Sequence, residues 1–207
     1  MYLFLDTETT GVPGARGAPL LATRQWPRLV QIAWAAYDEA GNCVTSEAHL
    51  VYPTDFAIPA AATRIHGIST AMAKSDGIAL GWVIERFVGA VAEHGRVIVG
   101  HNVAFDRNVV AVEMYRLGYA RETVENDFCA RRHFCLMTTT AAFCRLPGRF
   151  GKPKYPTLTE LHRKLFGEKP RQCHSAPADA EATARCFFRL KELGVISEKN
   201  SPGTTRC

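Results

Sequence analysis

Apolar runs of two kinds alternate along the chain. YLFL, at positions 2–5, is continuous, as in a strand buried on both faces, and Tyr2 to Asp6 predicts a short strand that TTG breaks into a loop. A Gly/Pro-rich stretch from Gly11 to Pro27 follows. Leu29 to Tyr37 and Cys43 to Tyr52, joined by a turn at Glu39-Ala-Gly-Asn42, predict a hairpin. Ile58 to Ile65 and Ala79 to Ala92 have helical spacing. VIVG, Val97 to Gly100, predicts a second buried strand, and after HNVAFD the positions Val109, Val112, Met114 and Leu117 mark a helix. Leu136 to Cys144 and Thr157 to Phe166 predict two more, the second opened by Thr157 with Glu160 at the spacing of a capping box. A last helix opens around Asp179 and turns Ala182, Cys186, Phe187 and Leu190 inward. Strands interleaved with helices predict an α/β fold, a sheet flanked by helices.

Composition agrees with one compact domain. A chain of 207 residues that is 47% hydrophobic buries a sizeable core, and residues 1–192 contain no linker or repeat. The expected division is a domain over 1–195 and a polar, disordered tail over 196–207. The start lacks the build of a signal peptide, and no apolar run approaches the ~20 residues of a membrane span, so no membrane partner is expected. Seven cysteines in unpaired spacings point to a reducing compartment and a cytoplasmic location. Cys129, His133 and Cys135 are ligand types that suit zinc, but no fourth ligand lies in sequence reach, and core thiols with a surface histidine are the expected reading.

Charge adds a direction. The net +5 is uneven: from Arg145 to Arg171 eight Lys/Arg face two acids, while the rest of the chain holds 17 bases and 18 acids. The first part of this segment, RLPGRFGKPKYP, interleaves Arg149, Lys152 and Lys154 with Phe150 and Tyr155. Cations for phosphates and rings for bases suit a single-stranded nucleic acid. A solvated basic face is the alternative.

Acids stand where these elements meet. Asp6 and Glu8 are two residues apart, so an extended chain sends both to one side, where they can share a cation. Asp106 falls on the first turn of the helix after VIVG, and Asp179 on the first turn of the last helix; either acid could instead merely complement a helix dipole. His174 lies in the loop entering that last helix, and an imidazole, which titrates near neutrality, is there a candidate general base. So many hard oxygen donors point to Mg²⁺ or Mn²⁺.

FLDTETTG, IPAAATRIHGIS, HNVAFD and HSAPADAEATARCFF resemble, in order, the motifs of the DEDDh family, the DnaQ-like 3′→5′ exonucleases, over roughly residues 1–192. The resemblance implies an RNase H-like fold, a central mixed sheet flanked by helices with Asp6 on its central strand. It implies two divalent cations, Mg²⁺ or Mn²⁺, about 3.5 to 4 Å apart. Asp6 would bridge both, Glu8 and Asp179 complete the water-side ion, Asp106 bind the leaving-group-side ion, and His174 take the water's proton. Thr9, His66, Asn102 and Phe105 would meet the terminal nucleotide, although a helix-end bond to a backbone carbonyl for His66 and core packing for Phe105 stay open. The implied function is release of nucleoside monophosphates from single-stranded 3′ ends, DNA ahead of RNA. Two other classes stay open: a family phosphodiesterase acting on small or cyclic oligonucleotides, and an idle nucleic-acid-binding module. A proofreading subunit would need a polymerase-binding tail, and the stretch from Ser197 offers little of one, so a stand-alone enzyme is expected.

Overall fold

The computed structural model describes residues 1–170 and 174–196; Arg171 and, apart from Ile196, the expected tail lie outside them. Five strands, β1 Tyr2–Thr9, β2 Leu29–Tyr37, β3 Cys43–Leu50, β4 Val97–Gly100 and β5 His133–Cys135, form one sheet in the order β3-β2-β1-β4-β5. Among the described residues the helices are α1 Ala60–His66, α2 Thr70–Asp76, α3 Leu80–His94, α4 Val103–Arg116, α5 Leu136–Thr139, α6 Ala141–Cys144, α7 Leu158–Phe166 and α8 Ala176–Glu192. β2 runs antiparallel to β1 and β3, whereas β4 runs parallel to β1 and β5. The tight turn after Tyr37 suffices for the hairpin; the parallel pairs need crossovers long enough to hold helices.

β1 is central because its first residues are apolar on both sides. Alternation sorts them. Leu3 and Leu5 pack with Val83 and Phe87 of α3 and Val109 and Val110 of α4, while Tyr2 and Phe4 pack with Leu161 of α7, Phe187 and Leu190 of α8, and Ile196. The same alternation carries into the polar half of the strand. Asp6 and Glu8 continue the α8 face, and Thr7 and Thr9 the α4 face.

Four differences from the sequence expectations have local causes. β1 runs past Asp6 and ends at Thr9, the first residue of TTG: the ladder with β2 continues through Glu8 opposite Gln31 and Thr9 opposite Leu29, with an irregularity between Glu8 and Thr9, so both acids stand on the strand itself and the break follows them. The run Cys43 to Tyr52 ends as a strand at Leu50, and Val51 bridges instead to Ile78. The helix expected over Leu136 to Cys144 divides at Thr140, whose hydroxyl donates to the Leu136 carbonyl at 2.7 Å, a back-bond that bends helices. Finally, α2, a π-helical segment over Thr123–Cys129 and the three-residue β5 carry too little periodicity to read, and β5 is ordered by its pairing with β4.

Candidate metal centre and active site

Asp6, Glu8 and Asp179 each offer a carboxylate oxygen, and the three oxygens lie within 4.8 Å of one another. The first two leave β1 on one face, and α8 delivers the third across it. Asp106 arrives from the other side. It is buried, 4% exposed, and its Oδ1 accepts two bonds from Thr7, the backbone N–H at 3.0 Å and the hydroxyl at 2.7 Å. Alternation points Thr7 at α4, so a single strand addresses three of the four acids: two by its own side chains and one by the residue between them. Gly100 lets this happen. A Cβ there would meet Val103 Cβ at 2.9 Å and the Leu5 carbonyl at 3.2 Å, blocking the tight passage from β4 into α4 beside β1.

Burial and crowding of like charges raise the carboxyl pKa values. Asp6 stands well above the usual carboxylate range, first through burial and then through Asp106, Asp179 and Glu8. Glu8 is pushed up to about 7, again by burial first and then by Asp179 and Asp106. Burial takes Asp106 to about 7 against the pull of the two Thr7 hydrogen bonds. Asp179 is raised by burial, while the His174 amide and imidazole oppose the shift. Such a cluster is costly as bare anions and suits a cation that neutralises it; its donors are all hard oxygens, which fits Mg²⁺ or Mn²⁺.

His174 is exposed and its amide N–H donates to Asp179 Oδ2 at 3.0 Å. Its φ of 66° lies in the left-handed region, which costs a non-glycine residue of order 1–3 kcal/mol, and the bond to Asp179 helps to hold it there. Thr9 is buried and spends its hydroxyl proton on the Gly11 carbonyl at 2.6 Å. His66 ends α1 before Gly67, whose φ of 78° turns the chain. Its Nδ1 accepts the Ile68 N–H at 3.1 Å, a backbone amide rather than the carbonyl left open above, while Nε2 is buried without a hydrogen-bond partner. Burial lowers the His66 pKa, and the nearby Thr9 backbone opposes this without meeting hydrogen-bond geometry. Asn102 is the exposed N-cap of α4, and its side chain makes no capping bond. Phe105 packs, partly buried, against the core that contains Leu3 and Leu5.

The three basic candidates divide. Arg149 and Lys152 are exposed on a turn of 3₁₀ helix and have no ion pair among the described residues. Lys154 instead contacts Glu160 Oε1 at 2.6 Å, the same side chain that closes the capping box on Thr157. The zinc alternative fails on geometry. Cys129 is buried in the core, His133 lies 3.4 Å from the Arg107 guanidinium, and the acid trio is the one metal-type cluster among the described residues. Sequence reasoning missed Thr7, although alternation after Asp6 points to it. It also missed His101, which reaches the Pro156 carbonyl at 2.9 Å and ties the first part of the basic segment to the end of β4.

With this geometry in place, the comparison with known families is direct: the Exonuclease (RNase_T) family model matches residues 3–187. The chain belongs to the exonuclease family. No curated protein sequence matches it. Solved structures of similar fold include exonuclease I, with TM-score 0.73 and 23% identity over 92% of this chain and 40% of that one. Another is E. coli exonuclease I in complex with a dT13 oligonucleotide, at TM-score 0.71 and 22% identity over 93% of this chain and 42% of that one. A zinc-ion-bound E. coli ExoI–ssDNA complex matches with TM-score 0.67 and 23% identity over 92% and 40% of the two chains. The chain thus spans about two fifths of these proteins. The exonuclease-family fold is the RNase H-like mixed sheet flanked by helices that the motifs implied. Among the described residues, no helix is long and apolar enough to cross a membrane.

Proposed function

We propose that this exonuclease-family chain hydrolyses nucleic acid from single-stranded 3′ ends, releasing nucleoside monophosphates with the help of two divalent cations, Mg²⁺ or Mn²⁺. The observation that carries this reading is the convergence of Asp6, Glu8 and Asp179 within 4.8 Å, on secondary-structure elements far apart in sequence. Divalent cations held there supply neutralisation of the scissile phosphate and ionisation of the attacking water. Asp6, Glu8 and Asp179 hold one ion. Asp106, close enough to raise the pKa of both Asp6 and Glu8, takes part in a second with the oxygen that Thr7 leaves free. A ring nitrogen of His174 accepts the water's proton, and Asp179 offsets the imidazolium that results. Thr9, His66, Asn102 and Phe105 shape the place of the terminal nucleotide, with His66 Nε2 as its unspent polar atom. Arg149 and Lys152 lead the strand backbone towards it.

Two points support single-stranded DNA: the rings among the cations of the basic segment suit a single strand, and a structural neighbour was crystallised with a dT13 oligonucleotide. The deciding experiment offers 5′-labelled single-stranded DNA, duplex DNA, RNA and a cyclic dinucleotide to the purified chain, with Mg²⁺, Mn²⁺ or EDTA. The expected result is a ladder shortening from the 3′ end of single strands that EDTA abolishes. Cleavage of the cyclic dinucleotide alone would move the chain to the small-phosphodiester class, and binding without cleavage in either metal would make it a binding module.

A further inference from the structure

Three of the ligands come from β1 and α8, yet α8 is held in place by β2. In the antiparallel ladder Ala33 stands opposite Asp6 and Gln31 opposite Glu8, so all four side chains share one face of the sheet. Ala33 forms a closed cluster with Ala176 and Ala180 of α8, exposed by 2%, 0% and 1%. Three alanines bring helix and sheet close together where Asp179 must reach Asp6.

The start of α8 would otherwise be poorly satisfied. A helix leaves its first amide donors without partners, and a polar N-cap side chain usually takes one of them. Ser175, at the N-cap, makes no such bond. Pro177 has no N–H to satisfy, and the Ala176 N–H is taken from outside the helix by Gln31 Oε1 at 3.0 Å. This bond and the one from His174 N–H to Asp179 bracket the short turn that presents His174.

We infer that Gln31 is a positioning residue of the active site, the acceptor that docks the first amide of α8 so that Asp179 and His174 meet the carboxylates of β1. The amide is suited to this place. It accepts a hydrogen bond beside Glu8 without adding a fifth anion to the cluster. The inference rests on the metal-dependent nuclease reading for its kinetic arm, and on geometry alone for its binding arm.

The experiment compares the wild-type chain with Gln31→Leu, which keeps bulk and loses the acceptor, and Gln31→Glu, which keeps the acceptor. Mn²⁺ binding is read by calorimetry, exchange of the Ala176 amide by NMR, and kcat and KM on single-stranded DNA by gel assay. Loss of an outer partner of a metal ligand costs 10–100-fold, so Gln31→Leu is expected to weaken Mn²⁺ binding or lower kcat by roughly that factor, with KM nearly unchanged and the Ala176 amide exchanging faster. Gln31→Glu should recover most of the loss at saturating Mn²⁺. Wild-type Mn²⁺ affinity and amide protection in Gln31→Leu would overturn the inference, as would equal losses in both variants. If the wild-type chain binds Mn²⁺ but hydrolyses nothing, the nuclease reading fails, and the binding and exchange arms still decide the role of Gln31.

Discussion

α4 and α8 each place an acid at their fourth residue, Asp106 and Asp179, yet the two carboxylates sit in different surroundings. α4 lies on the Leu3 and Leu5 face and is pinned to β2 by Glu113, a fully buried acid whose Oε1 accepts from Arg28 Nε, the Leu29 N–H and Arg116. Its Asp106 is buried and gripped twice by the strand residue Thr7. α8 lies on the Tyr2 and Phe4 face, held by apolar packing, by the bond from the Ala176 N–H to Gln31 at its start and by one from Lys191 to the Tyr2 hydroxyl near its end. Its Asp179 stays half-buried, and its partner is the amide of His174, the exposed residue that enters the helix in a left-handed backbone conformation. The same local device, an acid on a first turn, thus yields a carboxylate fixed by the sheet on one side. On the other it yields a carboxylate joined to a histidine that faces solvent.

Breaking the sheet-fixed side should have the largest effect. Asp106→Ala is expected to lower turnover on a 5′-labelled single strand by on the order of 10³-fold or more, with the circular dichroism spectrum retained. Near-wild-type turnover would remove α4 from the chemistry. On the loop side, His174→Ala should lower kcat by roughly 10²- to 10⁴-fold, leave Mn²⁺ binding intact, and recover in part at alkaline pH. A loss of Mn²⁺ affinity in calorimetry would make His174 a ligand rather than a base.

A third test uses protons. Glu8 and Asp106 are raised to about 7 in the folded chain, above their values in the unfolded one. Between those values the folded state binds more protons, so metal-free stability falls as pH rises towards and through about 7. The melting temperature in EDTA should therefore fall by several degrees between about pH 5 and about pH 8. Saturating Mn²⁺ should reverse the trend, and Asp106→Asn should flatten it. A metal-free melting temperature that rises steadily over this range would contradict the crowded-acid account. The smallest effect belongs to the approach to α8. Neutralising Arg149 and Lys152 in an Asp6→Ala background should flatten the dependence of log affinity on log salt by about 1.4, at ~0.7 per phosphate contact. Adding Lys154 should change it little, because Glu160 already engages that ammonium. An unchanged slope in fluorescence anisotropy would leave the segment a solvated face.

How much of this was legible follows from the reach of each signal. Long periodic or apolar runs, such as Leu29 to Tyr37 and Thr157 to Phe166, became the expected elements because their pattern repeats often enough to identify a period. β5 spans three residues and exists through its pairing with β4, so no window of sequence contains its cause. TTG ends the strand as its composition suggests, but pairing with β2 carried β1 past Asp6 as far as Thr9. Among the site residues, the acids and His174 were readable as residue types at element ends. Thr7 and Gln31 were not singled out, because a threonine between two acids and one amide in LVQIAWAAY acquire meaning from what lies across the sheet.

The sequence by itself determined which residues are the candidates for the chemistry and that Asp6 and Glu8 leave β1 on one face, since strand alternation is a property of the backbone and needs no partner. The tertiary structure decided that Asp179 would meet Asp6 and Glu8, that Asp106 would be held by Thr7, and that burial would push two of these acids up to about 7. These outcomes depend on distance and burial between segments far apart in the chain. Electrostatic repulsion and desolvation act through space, so only the packing of α4 and α8 against opposite faces of one strand could set them.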